Sequence, residues 1–238
     1  GEAYLGGQGL ICDPALALKW FRAAVLSGNV QPDAMYWLGW CALHGVGTKQ
    51  NFEDAIRWLE DGAQNGSSRA RHLLGLCLQY GTGTAQDFAR AAACYRRAAD
   101  GGYAPAMLAL ANCLEHGIGL NRDPAAAYAY YKKAAKSGEE DGFYHVGRCM
   151  LRGIGTQRDA QNAVVALGRA ARDGNLCALL LLSDCHRTGT GTQPSPLLCR
   201  SMLEKAADAR VRPPKSEAQK LETVTFFEHP DKLAIAQA

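Results

Sequence analysis

The sequence lacks any stretch that approaches the roughly 18 apolar residues a membrane span needs. Its longest apolar run lies around Leu179 to Leu182, so a soluble chain is expected. It also lacks a strong charge of either sign: 26 Lys and Arg against 23 Asp and Glu leave a formal net charge of +3. A chain that tracks phosphates usually gathers its cations into a dense patch, so nucleic acid is not the expected partner. There is no CxxC pair for zinc, no GxSxG nucleophile elbow and no HExxH metal helix. The N-terminal GEAYLGGQG has neither an initiator Met nor a signal peptide, and reads as a processed end or an artificial boundary. Disorder is excluded as well, because 47% of the residues are hydrophobic and only 21% charged.

What the sequence has is a period. The pair Gly45/Gly47 returns as Gly81/Gly83, Gly117/Gly119, Gly153/Gly155 and Gly189/Gly191, 36 residues apart each time, and Gly7/Gly9 lies 38 residues upstream. Alone, one copy could pass for a glycine-rich phosphate loop before a helix. A phosphate cradle is not repeated six times, and no copy has the Lys-Ser/Thr that a P-loop places after its glycines. The loop is architecture.

Each unit reads as two helices. The second starts after Asp13, Asn51, Asp87, Asp123, Asp159 and Ser195, side chains that can accept from an orphan backbone N–H. Pro14, Pro124 and Pro196 occupy the first helical position, where no N–H is missed. Alanine pairs such as Ala98/Ala99 and Ala134/Ala135 follow, and Gly28, Gly66, Gly102, Gly138 and Gly174 end the helix. The first helix of each unit starts near Ala34, Ala70, Ala106, Gly142 and Ala178 and runs to the next glycine pair. No segment reads as a strand.

The pattern AxxxLGxCxxxGxG, followed by a capped helix ending in AA and Gly, resembles the Sel-1-like repeat family, a branch of the tetratricopeptide-like α/α solenoids. Ala34, Leu38, Gly39, Gly45, Gly47, Ala55, Trp58 and Ala63 carry it in the first full unit. In the third unit Ala106, Leu110, Gly117, Gly119, Asp123, Ala127, Tyr130, Ala134, Ala135 and Gly138 do so. The resemblance spans residues 1–208 and implies an all-α, right-handed superhelix of about five and a half units. It also implies an adaptor or scaffold that holds other proteins. Ala111 and Ser183 depart from the usual Gly.

Five of nine cysteines, Cys41, Cys77, Cys113, Cys149 and Cys185, share one repeat position. An intervening helix separates successive ones by roughly 10 Å, whereas bridged Cα atoms lie within about 7 Å. They are expected to be packed thiols. The secreted cysteine-rich branch of the family carries two bridged cysteines per repeat; here one is in register, which points to a reducing compartment, cytoplasm or mitochondrion. The histidines form no cluster and no cofactor or metal set is evident, so an enzyme is the alternative reading only.

Along the first helices, the positions of Ala34, Leu38, Cys41 and Ala42 form one apolar face at i, i+4, i+7, i+8. A second stripe with the same spacing varies freely between units. It holds Tyr36, Trp40 and His44, then His72 and Tyr80, then Asn112 and His116, then Tyr144, Arg148 and Arg152, then Asp184 and Arg187. In solenoids of this kind the first helices line the concave surface. These residues are therefore the expected contacts for a partner protein or peptide. Trp40 and Tyr80 are the expected anchors, and Arg148 with Arg152 the expected grip on an acidic segment. The competing expectation is that Tyr36 and the apolar members pack against the preceding unit.

The ends differ from the repeats. The helix from Asp13 is expected to leave Leu16, Trp20 and Phe21 incompletely covered, so that upstream chain or a partner subunit would cover them. Residues 209–238 read as a linker at Pro213-Pro214 and a helix from Ser216 to about Glu228, capping the last unit or docking on a partner.

Overall fold

The computed structural model describes residues 2–6, 13–27 and 32–211. Among the described residues the only regular elements are helices: α1 Glu2–Gly6, α2 Pro14–Leu26, α3 Pro32–His44, α4 Phe52–Gln64, α5 Ser68–Tyr80, α6 Phe88–Asp100, α7 Ala104–His116, α8 Pro124–Lys136, α9 Glu140–Arg152, α10 Ala160–Arg172, α11 Leu176–Thr188 and α12 Pro196–Val211. Each packs against the next in chain order, and α3 also touches α5. The result is an α/α solenoid in which α3, α5, α7, α9 and α11 form one layer and the even-numbered helices the other. No helix among the described residues is long and apolar enough to cross a membrane.

The caps sit where the sequence places them. Asp13, Asn51, Asp87, Asp123 and Asp159 each accept the backbone N–H three residues on, at 2.9 to 3.2 Å. Ser195 does the same for Leu198 at 3.3 Å. Two caps of the other layer also tie units together. The Ser67 hydroxyl accepts from Ala70 and donates to Asp33 at 2.8 Å, and the Asn175 amide donates to Asp141 at 2.6 Å. Both acceptors lie one unit earlier, on the first turns of α3 and α9.

The two glycines of the repeated loop have different tasks. The first ends its helix in the left-handed region, as Gly153 does at φ 70°. The second, exemplified by Gly155 at φ 66°, lies against the start of the preceding even-numbered helix, where a Cβ would collide with the Pro124 carbonyl oxygen. Gly119 and Gly191 meet Phe88 and Ala160 in the same way. The loop therefore fastens each unit to the one before it.

The core confirms the expected cysteine column: Cys41, Cys77, Cys113, Cys149 and Cys185 are all at most 3% exposed. Burial pushes the Cys41 and Cys77 thiols up to about 12 and those of Cys113 and Cys149 to about 11. These groups stay protonated and unreactive at neutral pH. All cysteines of the described residues are free thiols.

The ends bring one correction. Trp20 is 55% exposed and Leu16 half-buried, as expected, but Phe21 is covered and stacks on Trp37 with ring centroids 5.9 Å apart. Trp37, from the next helix, supplies the cover that the sequence does not reveal. The helix expected between Ser216 and Glu228 lies outside the described residues.

Candidate functional site

The variable stripe does not have one character along its length. In α3, Tyr36 and Trp40 are each only 4% exposed, which corrects the expectation that Trp40 faces solvent as an anchor. Trp40 lies edge-on to Trp37 at 5.8 Å and meets the His44 ring at 4.7 Å. The Arg69 guanidinium, reaching from α5, covers Tyr36 at 5.3 Å and Trp37 at 5.5 Å. These aromatics pack against their neighbours, so the competing reading describes the first unit.

From α5 onward the stripe opens. His72 is enclosed between the rings of Tyr95 and Tyr103, at 5.7 and 5.4 Å, while Tyr80 is 40% exposed. On α7, Asn112 and His116 are both exposed, and His116 Nδ1 lies 3.0 Å from the Asn112 carbonyl oxygen. Tyr144 is half-buried against His145, whereas Arg152 is exposed and makes no ion pair among the described residues. On α11, Asp184 and Arg187 are exposed and bonded to one another.

Arg148 is not the open cation expected from the sequence. Its guanidinium donates to Glu115 Oε2 at 2.5 Å, and the Tyr131 hydroxyl donates to the same oxygen at 2.9 Å. Glu115 is 5% exposed. Burial alone would raise its carboxyl, but the bonds from Arg148 and Tyr131 outweigh it and hold the group below the usual carboxylate range. The His145 ring stacks flat on Tyr131 at 4.4 Å. Arg148 is thus a strut between α9 and α7, and Arg148 with Arg152 do not form a two-pronged grip.

A simple rule generates this network. One repeat position on the odd-numbered helices faces one on the following even-numbered helix, 16 residues on. Where the second is Tyr, the first is polar: Tyr95 donates to Gln79 at 2.7 Å, and Tyr131 to Glu115. In the first and fourth full units both are apolar, Leu43 with Leu59 and Leu151 with Leu167, while the fifth departs, with Arg187 and Leu203 both exposed. A buried phenol needs an acceptor, and the facing residue supplies it. The alternation is a sequence signal that compositional reasoning misses.

Burial pushes His44, His72 and His145 down to about 4, with Arg148 adding to the effect at His145. All three are neutral in the folded protein at pH 5, whereas in the unfolded chain a histidine gains its proton near pH 6.5. Between those values the unfolded state binds more protons, so stability falls as pH falls, by about 1.4 kcal/mol per pH unit for each histidine held fully neutral. Urea unfolding at pH 7 and pH 5 should show a lower midpoint at pH 5. An unchanged midpoint would contradict the burial of these rings.

The Sel1 repeat model matches residues 1–29, 32–67, 68–103, 104–139, 144–175 and 178–210, and the chain belongs to this family. No curated protein matches the chain at a significant level. Among solved structures it is similar to c5321, a protective antigen of uropathogenic Escherichia coli with an SLR fold, at 28% identity and a TM-score of 0.76. The match covers 87% of this chain and 44% of that one, so the chain corresponds to less than half the length of the antigen. It is also similar to a Sel1 repeat protein from Oxalobacter formigenes at 26% identity and a TM-score of 0.75, with 82% of both chains covered. Repeats of this family generally mediate protein interactions.

Proposed function

We propose that this chain is a non-catalytic adaptor that holds a segment of a partner protein along the odd-numbered helices, from α5 to α11. One observation carries this reading: the stripe is closed in α3 but exposes Tyr80, Asn112, His116, Arg152 and the Asp184–Arg187 pair in the four following units. Side chains that neither fill the core nor repeat between units are placed for a partner. Tyr80 takes over the anchoring role from Trp40, because a half-exposed aromatic on a rigid helix gains contact area at little entropic cost. Arg152 is the cation that can meet a carboxylate of the partner, since Arg148 is already engaged. The column of free thiols supports residence in a reducing compartment, cytoplasm or mitochondrion.

Affinity capture from the native source tests the reading, with the wild type beside Tyr80→Ala/Arg152→Glu. Arg152 is exposed and Tyr80 is 40% exposed, so the double variant should keep the helical circular-dichroism spectrum of the wild type at the assay temperature. It should bind the captured partner at least about tenfold more weakly, as loss of an interface anchor does. Equal affinity for the same partner would remove the assignment.

A further inference from the structure

The even-numbered helices carry a second feature, on their exposed surface. Arg96 and Arg97 on α6 and Lys132 and Lys133 on α8 occupy the same two repeat positions, and Arg169 follows on α10. One turn further on stand Lys136 and Arg172, with Asp100 exposed at that position on α6. All seven cations are exposed. None makes an ion pair among the described residues, whereas Arg57, Arg90, Arg187 and Arg200 are paired with Glu53, Glu60, Asp184 and Glu204. Lys132, Lys133 and Arg169 lie over the rings of Tyr128, Tyr130 and Phe143 at 5.4, 4.9 and 4.8 Å.

The fold does not require this band. Cations near a helix C-terminus are favoured by the macrodipole. Yet α4, of the same length, has Glu60 and Asp61 at the very positions of Arg96 and Arg97, and no basic residue in its last turn. Unpaired like charges on three successive even-numbered helices repel one another and oppose the compact state. The band is also bounded. On one side lies acidic α4, with Glu53, Asp54 and Asp61 exposed; on the other lies α12, with Leu197 and Leu198 exposed.

We propose that the outer face of α6, α8 and α10 docks a short acidic segment of a protein. The cations are confined to three successive even-numbered helices, so the cationic footprint is short. An acidic helix matches it, because residues seven apart share a face about 10 Å apart. A nucleic acid duplex or an anionic membrane would overrun the band and meet the carboxylates of α4. The bounded footprint therefore favours a peptide over an extended polyanion. This surface is separate from the odd-layer stripe of the proposed function, and each stands or falls without the other.

The test measures anisotropy of a fluorescein-labelled, Glu-rich peptide of about 15 residues against the whole chain. At low salt the peptide should bind, and affinity should fall steeply as salt shortens the Debye length below about 10 Å. Lys132→Glu/Lys133→Glu/Lys136→Glu should weaken binding at least about tenfold, and the Gln triple variant by less. Lys19→Glu/Lys49→Glu/Lys205→Glu changes net charge equally but off the band, and should retain affinity within about threefold. Arg152→Glu should leave it unaltered. Equal losses in both Glu triples would overturn the proposal, as would failure to bind the peptide. Tighter binding of duplex DNA or phosphatidylserine vesicles would overturn it too.

Discussion

Gly155→Ala is expected to destabilise the protein by about 3 kcal/mol or more. Two effects add. The φ of 66° lies in the left-handed region, which costs a residue with a Cβ about 1 kcal/mol. The new methyl would also drive into the Pro124 carbonyl, and forced overpacking of this kind costs about 1–3 kcal/mol. That oxygen belongs to the first turn of α8, so the strain cannot be relieved by rotating a side chain. Gly174 isolates the first effect: its φ is 92°, and nothing stands where its Cβ would go. Gly174→Ala should therefore cost only about 1 kcal/mol. Urea unfolding of both variants measures the difference, and equal losses would show that the loop does not fasten one unit to the next.

Glu115→Ala should cost about 3 kcal/mol, because it strands the Arg148 guanidinium and the Tyr131 hydroxyl at a largely buried site. The partners rather than the carboxylate itself account for the loss. Replacing the whole network tests that attribution. Glu115→Leu/Tyr131→Leu/Arg148→Leu copies residues that other units hold at these positions, Leu43, Leu59 and Leu76. It should unfold within about 1 kcal/mol of the wild type, since an apolar set of suitable volume substitutes well for a buried ion pair. If the triple variant were as unstable as Glu115→Ala, the network would be supplying more than mutual satisfaction.

Much of this architecture is written locally. Helix starts at Asp87 or Asp123 and the ends at Gly81 or Gly117 need only neighbouring residues, and a recurrence of 36 extends them along the chain. The facing direction of Trp40 was not legible, because α3 is apolar on nearly every side and both its stripes are buried. Periodicity distinguishes faces only when one of them is polar. The tie between Arg148 and Glu115 spans 33 residues and depends on how α9 meets α7, which no local pattern encodes. The basic band was hidden by arithmetic: carboxylates such as those on α4 offset it in the formal charge of +3.

A chain of near-identical units faces a hazard of mistaken identity while it folds, since an odd-numbered helix can meet the even-numbered helix of the wrong unit. Across the first four full units the alternation of Leu43–Leu59, Gln79–Tyr95, Glu115–Tyr131 and Leu151–Leu167 would penalise that error, while the exposed Arg187–Leu203 pair stands outside it. A slip of one unit at either border sets a tyrosine hydroxyl against leucine, or the Gln79 amide or Glu115 carboxylate against an aliphatic wall. Each such mismatch leaves a buried polar group unanswered at about 1–3 kcal/mol. A slip confined to the two central units goes undetected by the phenols, and there Arg148 keeps the count, because its guanidinium finds a carboxylate only at Glu115.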